Sequence, residues 1–159
     1  MQKITTCLWF DGQAEEAAAF YTSVFDRSRI TGTQYATDAV PGGRAGAVLT
    51  VSFEVEGHPI MALNGGPEFH FSEAVSLIVH CDSQEEVDRY WAALTADGGA
   101  ESECGWLKDK YGMSWQITPR RLIELISSPD RALADRVFRA MLTMRKLDIQ
   151  RLEDAAKEG

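Results

Sequence analysis

The sequence has little of what several protein classes require. It contains only three histidines and three cysteines, and Cys7, Cys81 and Cys104 form an odd set without the spacing of a metal site. No apolar run approaches the roughly 18 residues that span a membrane. The first residues enter a strand pattern without the apolar core of a signal peptide. We therefore expect a cytoplasmic protein with reduced, buried thiols.

Basic residues are scarce relative to acidic ones. There are 16 lysines and arginines against 24 aspartates and glutamates, which gives a formal net charge of −8 at pH 7. Such a surface repels phosphate backbones and anionic lipids. We therefore expect neither nucleic acid nor a membrane as a partner. The apolar fraction of 45% and the charged fraction of 25% are those of a globular protein.

An internal repeat is the most informative feature that is present. The segment 11–16 (DGQAEE) recurs at 82–86 (DSQEE) with one residue fewer, and an apolar, strand-like run precedes each copy. Two copies about seventy residues apart indicate a duplicated module and not a solenoid. Because a duplicated module usually forms a cleft between its halves, that cleft is where we expect the function.

Hydrophobic periodicity predicts the order β-α-β-β-β in both halves. We place the first module at 1–67 and the second at 68–119, as parts of one α+β domain. Residues 120–159 lie outside the repeat and predict short amphipathic helices, which we expect to clamp the domain or to form a dimer arm.

Several local predictions depend on single residues. Asp11 is the expected N-cap of the first helix, and Asp82 or Ser83 that of the second. Residues 101–108 are predicted to form one strand, and residues 108–110 (KDK) are predicted to form a solvated turn.

Six short blocks resemble the PhnB-like branch of the vicinal oxygen chelate superfamily, which includes glyoxalases, bleomycin-resistance proteins and dioxygenases. The blocks are 7–10 (CLWF), 19–21 (AFY), 48–51 (VLTV), 62–67 (ALNGGP), 104–109 (CGWLKD) and 112–117 (GMSWQI). The resemblance implies two tandem β-α-β-β-β modules that form a curved mixed sheet, followed here by the C-terminal helical tail. It also implies a homodimer.

Members of this branch often carry the label 3-demethylubiquinone-9 3-methyltransferase. A methyltransferase that uses S-adenosylmethionine normally needs a Rossmann-like parallel sheet with a glycine-rich turn after its first strand. Here the first strand leads into a segment with a single glycine, Gly12, and the glycine pairs at 42–43 and 65–66 lie in loops outside that context. We therefore do not expect methyl transfer.

Metal-dependent members of the superfamily typically hold a divalent cation with His and Glu ligands from the first and last strands of each module. When the ligand positions are transferred to this sequence through its internal repeat, they fall at Thr5 or Thr6, Met61, Ser76 and Gln116. The set has no charge and no imidazole. It therefore lacks the ligands that compensate a hard cation for the loss of its hydration shell. We therefore expect neither a metal nor another cofactor there.

Neutral polar groups among aromatic side chains are typical of a pocket for a small molecule. The residues that we predict to contact the ligand are Thr6, Trp9, Met61, Asn64, His70, Ser76, Trp106 and Gln116. Trp115 has suitable chemistry, but neighbouring residues of a strand point to opposite faces. We therefore favour Gln116 over Trp115 for the cleft.

The pattern favours a metal-independent small-molecule binding protein of the glyoxalase/bleomycin-resistance type, with an unknown ligand. One alternative is an isomerase, lyase or dioxygenase of the superfamily with a non-standard site. Cys104 with Glu101 and Glu103 offers a nucleophile and bases, although nothing in the sequence orients them. Another alternative is a structural homodimer with a vestigial cleft. No catalytic residue is assigned.

Overall fold

A computed structural model describes residues 2–158, which divide into two compact units. The first unit ends at His70 and the second begins at Phe71. Each unit has its own four-stranded sheet of parallel and antiparallel strands, packed against a helix that follows its first strand. The predicted α+β class and the duplicated β-α-β-β-β order are confirmed. The helical tail belongs to the second unit.

The first unit contains one helix and four strands. Its elements are β1 (Thr6–Phe10), α1 (Ala14–Val24), β2 (Arg29–Tyr35), β3 (Val48–Val55) and β4 (His58–Asn64). The strands lie in the order β1-β4-β3-β2, in which β1 runs parallel to β4 and the other pairs are antiparallel. Phe10 and Asn64 are paired at the end of β1 and β4.

Helix α1 packs on this sheet through small residues and one aromatic ring. Ala14, Ala17 and Ala18 are fully buried, and the Tyr21 ring stacks on Phe53 of β3 with 6.1 Å between the centroids. Small side chains let the helix approach the sheet closely, so the large Tyr21 ring supplies most of the apolar contact area of this face.

The predicted cap of α1 by Asp11 is wrong. Gln13 occupies the N-cap position, and no side chain caps the helix locally. Asn64, at the end of β4, accepts a hydrogen bond from the Ala14 N–H at 2.9 Å. The cap is therefore supplied across the sheet, because the paired ends of β1 and β4 bring Asn64 to the start of the helix.

The second unit repeats this arrangement and adds three helices. Its elements are β5 (Ser76–Cys81), α2 (Gln84–Thr95), β6 (Ala100–Glu101), β7 (Trp106–Lys108), β8 (Ser114–Pro119), α3 (Arg120–Ile126), α4 (Arg131–Met141) and α5 (Ile149–Lys157). The strand order is β5-β8-β7-β6, with β5 parallel to β8. This order matches that of the first unit, position by position.

Helix α2 forms as its sequence predicts. The stripe Val87, Tyr90, Trp91 and Leu94 is buried. Of the two predicted caps, Ser83 is the one used, since its hydroxyl accepts a hydrogen bond from the backbone N–H at position 86.

The prediction of a single strand at 101–108 is wrong, because β6 and β7 pair antiparallel as the two arms of a hairpin. Cys104 and Gly105, in the turn between them, have positive φ angles of 58° and 85°. Their N–H groups donate to the carbonyls of Met144 and Arg145, at 2.8 and 2.7 Å. The tail thus provides hydrogen-bond acceptors that local sequence patterns do not reveal.

The tail packs as an integral part of the second unit. Its apolar cluster consists of Leu122, Leu125, Val137, Met144, Leu147 and Leu152. The Gln84 side chain of α2 donates to the Leu147 carbonyl and accepts from the Ile149 N–H, at 3.1 and 2.8 Å. The prediction that the tail clamps the domain holds for this unit.

Candidate functional site

The strand registers decide which predicted site residues share a face of each sheet. In the second sheet, Glu101, Leu107 and Trp115 form one cross-strand row. The Trp91 indole of α2 donates to Glu101 at 2.7 Å, so this row faces α2. Residues of the next row point the opposite way. We call the face of each sheet that points away from α1 or α2 its distal face.

Three predicted site residues lie on the distal face of the second sheet. Ser76 and Gln116 stand on the paired strands β5 and β8, and the Gln116 amide donates to the Ser76 hydroxyl at 2.9 Å. Trp106 pairs with Gln116 across β7 and β8 and is partly exposed. The structure therefore brings an indole, an amide and a hydroxyl together on one face.

Trp115 occupies the other face, as the alternation along β8 predicts. It is 2% exposed, and its indole N–H donates to a carboxylate oxygen of Asp109 at 2.9 Å. Gln116 therefore lies on the distal face and Trp115 does not, and the choice of Gln116 for the ligand site remains a prediction.

Ser114 is a residue of this face that we did not predict. It stands two positions before Gln116 on β8, so both side chains point the same way, and Ser76 is its partner on β5. It is 1% exposed, and its hydroxyl has no hydrogen-bond partner within residues 2–158. A buried, unpaired hydroxyl costs about 1–3 kcal/mol. The two-residue period from Gln116 was the signal that could have found it.

Trp9 and Met61 lie on the distal face of the first sheet. The row Ser52–Met61–Cys7 alternates with the row Phe53–Ile60–Thr6, which faces α1. Trp9 follows Cys7 by two positions and so shares the face of Met61.

Trp9 is held in place by the loop after β4. Its indole N–H donates to the Gly66 carbonyl at 2.8 Å, and its ring meets Phe69 edge to face at 4.8 Å between the centroids. A Cβ added at Gly65 would lie 2.4 Å from the indole ring, so this close approach requires glycine.

Two other predicted residues point away from this face. Thr6 lies in the row that faces α1, and its hydroxyl is 3.0 Å from a ring nitrogen of His58. A shift of one residue reverses the face of a strand residue, which is why Thr5 and Thr6 were not equivalent choices. Asn64 caps α1 with its oxygen and donates its amide to the Val48 carbonyl at 3.0 Å.

His58 and His70 belong to the first unit, and His80 belongs to the second. His70 is exposed at the end of the first unit, and His80 is exposed on β5. Within residues 2–158, no three His, Cys, Asp or Glu side chains cluster as metal ligands do.

The superfamily metal does not fit the side chains at the carried-over positions. Met61 offers a thioether, and Ser76 and Gln116 offer only neutral oxygens, of which the Ser76 hydroxyl already accepts a hydrogen bond from the Gln116 amide nitrogen. Hard divalent cations require several charged oxygen ligands or imidazoles. We therefore derive no chemical step through a metal at this site.

The thiols are not activated as nucleophiles. Burial raises the pKa of Cys104, and the neighbouring Glu103 carboxylate raises it further. Burial likewise raises the pKa of Cys7. Because the thiolate is the reactive form, these environments do not support the alternative of a Cys104 nucleophile.

The pH dependence of the free energy of unfolding tests whether the Cys81 thiol stays buried in the folded protein. Burial, and then the nearby Glu86 and Asp82 carboxylates, raise the pKa of this thiol from 9.0 to about 12. Between these values the unfolded chain loses the proton and the folded chain keeps it, so stability falls as pH rises. From pH 8 to 10.5 we expect the wild type to lose about 2 kcal/mol more free energy of unfolding than Cys81→Ala.

Urea denaturation at the two pH values measures this difference. Cys7→Ala, which removes an exposed thiol, serves as the control; because burial also raises the pKa of this thiol, the variant is expected to keep most of the wild-type pH dependence and not all of it. An equal pH dependence for the wild type and Cys81→Ala would show that Cys81 does not stay protonated in the folded core.

A cavity of about 660 Å³ lies in the tail, between the end of α3 and α4. Its lining includes Ile126, Pro129, Arg131, Asp135 and Phe138. None of the predicted site residues contributes to it, so this cavity is separate from the distal faces.

The two units have the duplicated architecture of the glyoxalase/bleomycin-resistance fold. The family model described as 3-demethylubiquinone-9 3-methyltransferase matches residues 2–118. The chain therefore belongs to that family. The match ends where the helical tail begins.

One solved structure supports the family, and a second shares its fold. A putative 3-demethylubiquinone-9 3-methyltransferase (PhnB protein) from Bacillus cereus is 39% identical, with 74% of this chain and 99% of that chain covered and a TM-score of 0.66. A protein from Pseudomonas aeruginosa, at 18% identity, covers 75% of this chain and 98% of its own, with a TM-score of 0.61.

A third structure shares the fold alone. The fosfomycin resistance protein FosX from Listeria monocytogenes is 14% identical, with 75% of this chain and 93% of that chain covered and a TM-score of 0.52. The sequence matches none of the curated proteins compared with it. Within residues 2–158, no helix has the length and apolar character to span a bilayer.

Proposed function

We propose that this chain is a metal-independent small-molecule binding protein of the glyoxalase/bleomycin-resistance type. The observation that carries the proposal is the hydrogen bond between Gln116 and Ser76, which links two neutral side chains at positions where metal-dependent relatives have ligands. The proposed binding residues are Trp106, Gln116 and Ser76 on the distal face of the second sheet. Trp9 and Met61, on the distal face of the first sheet, are candidates within their own unit.

The chemistry of these side chains suits an aromatic or amphipathic ligand. An indole offers a large contact area at a small cost in conformational entropy, and an amide orients the ligand through hydrogen bonds. Thr6 and Asn64 are not part of the proposed site, because their polar atoms bond within the first unit. His70 is exposed and remains a candidate for its edge.

The name of the family does not imply that this chain transfers methyl groups. Each sheet has one parallel pair and otherwise antiparallel pairs, unlike the parallel sheet that holds a nucleotide cofactor in Rossmann-like folds. On the distal faces, burial raises the pKa of the Cys7 thiol, and His80 is exposed on β5, so neither side chain is placed as an activated nucleophile or buried base and we propose binding in preference to catalysis.

Metal content is the first test of this proposal. Protein purified without a histidine tag is expected to contain no stoichiometric metal and to give no saturable heat with nickel, zinc, iron(II) or manganese. One equivalent of tightly bound metal that is lost in Gln116→Ala would contradict the proposal and support a Lewis-acid enzyme of the superfamily instead.

Ligand screening is the second arm of the test. We expect members of a library of small aromatic alcohols, ketones and amides to shift the NMR signals of the Trp106 indole and the Gln116 amide. Gln116→Ala is expected to weaken these ligands about fivefold through the loss of one hydrogen bond. Gln150→Ala, at an exposed position on α5, is the matched control. A library without any binder would contradict a binding function.

We also propose a cytoplasmic homodimer. The location is supported by three free thiols in the described chain. The dimer is supported by the edge strand β2, which is exposed along its whole length and includes Ile30 and Tyr35, at 48% and 61% exposure. Light scattering is expected to give twice the monomer mass of 17.6 kDa, and a monomer at micromolar concentration would contradict the dimer.

A further inference from the structure

The unpaired hydroxyl of Ser114 is the polar group of the second sheet that the fold leaves unexplained. It is 1% exposed and has no hydrogen-bond partner within residues 2–158. Nearly all buried polar side chains of folded proteins are hydrogen-bonded, and an exception calls for a specific reason. Helix packing does not provide one, since Ser114 points to the distal face and not toward α2.

The neighbours of Ser114 leave hydrogen-bonding capacity unused on the same side. Ser76, its partner on β5, accepts a hydrogen bond from Gln116. That bond uses one of the two amide N–H groups of Gln116 and leaves the Ser76 hydroxyl free to donate. Two hydroxyls and an amide therefore share the distal face with Trp106, which pairs with Gln116 from β7.

We propose that Ser114 is a further ligand-binding residue and that it hydrogen-bonds the hydroxyl or carbonyl group of a neutral aromatic ligand. The inference rests on the proposed binding function of this face and adds the chemical class of the ligand. The ligand supplies the partner that the Ser114 hydroxyl lacks, while its ring packs against Trp106.

The charges next to Ser114 favour a neutral ligand. Lys108 stands opposite Ser114 across β7 and β8, and its ammonium is ion-paired with Glu73. Because Glu73 already neutralises this ammonium, an anion gains little from Lys108, and burying an anionic group beside Ser114, which is 1% exposed, costs more than burying a neutral hydroxyl or carbonyl.

Three probes that share a benzene ring with one attached carbon, and differ in the functional group on that carbon, test this class of ligand. Toluene, benzyl alcohol and benzoate are titrated into the full-length protein, and the Trp106 indole and Gln116 amide signals are followed by NMR. We expect benzyl alcohol to bind about fivefold more tightly than toluene, as one neutral hydrogen bond predicts, and benzoate to bind more weakly than benzyl alcohol.

Ser114→Ala separates this inference from the proposed function. It is expected to abolish the preference for benzyl alcohol over toluene while leaving the melting temperature unchanged or raised, because the hydroxyl has no partner to lose. Ser102→Ala, at an exposed position in the same unit, is expected to change neither.

Each other outcome has a distinct meaning. If Gln116→Ala weakens benzyl alcohol but Ser114→Ala keeps the preference for benzyl alcohol over toluene, the binding face stands and the role of Ser114 is overturned. A lower melting temperature in Ser114→Ala would show that the hydroxyl already has a partner in the free protein, such as a buried water, which removes the premise. If no probe shifts either signal, the inference fails together with the binding face.

Discussion

Replacing Asp109 with alanine is expected to lower the free energy of unfolding by about 3 kcal/mol. Asp109 is 2% exposed. One carboxylate oxygen accepts from the backbone N–H groups of Tyr111 and Met113, at 2.9 and 3.1 Å, and the other accepts from the Trp115 indole. Alanine leaves these donors without their acceptor in the turn between β7 and β8.

Two further variants show whether the hydrogen bonds cause this loss. Asp109→Asn keeps an oxygen for the backbone donors but points an N–H group at the Trp115 indole, so we expect an intermediate loss of about 1–2 kcal/mol. Asp38→Ala removes an exposed carboxylate and is expected to change stability by less than about 0.5 kcal/mol. Equal stability of Asp109→Ala and the wild type in urea denaturation would contradict the buried network.

Leu147→Ala is expected to lower the free energy of unfolding by about 3 kcal/mol. Leu147 is 1% exposed and belongs to the apolar cluster of the tail. A Cβ added at Gly105 would lie 2.8 Å from its side chain, so the hairpin turn between β6 and β7 packs directly on it. Alanine would open a cavity where the tail meets the sheet of the second unit.

Leu142→Ala is the matched control in the same tail. Leu142 is 64% exposed, so its truncation is expected to change stability by less than about 0.5 kcal/mol. Circular dichroism with urea measures both variants, and hydrogen exchange at Cys104 and Gly105 reports whether the tail stays attached. If Leu147→Ala behaves like Leu142→Ala, the tail does not contribute to the stability of the second unit.

The tail is the part of this chain that the family model does not include. That match ends at residue 118, and the Bacillus cereus structure covers 74% of the chain. Yet the tail accepts hydrogen bonds from Cys104 and Gly105 and from the Gln84 side chain. The second unit of this protein therefore depends on contacts beyond the family region.

Local patterns predicted the elements well because each element depends mainly on its own residues. The buried stripe of α2 follows the 3.6-residue period, and Trp115 and Gln116 separate onto two faces by strand alternation. The repeat predicted two modules with the same strand order, and the structure has both.

The errors arose where a distant segment supplies a partner. Asn64, not Asp11, satisfies the start of α1, since β4 ends beside it. Residues 108–110 read as a solvated turn, but Asp109 is buried because Met113 and Trp115 donate to it. For Thr6, an uncertainty of one residue in the alignment of the repeat was enough to reverse the face.

Periodicity and residue chemistry are local properties. They were therefore enough to predict the duplicated modules, the order of elements, the family and the neutral side chains at the carried-over ligand positions. Only the tertiary structure decided which polar groups meet. The hydrogen bond of Gln116 to Ser76 and the unpaired hydroxyl of Ser114 depend on the register of β5 against β8. That register joins strands about forty residues apart, and packing of the whole unit sets it.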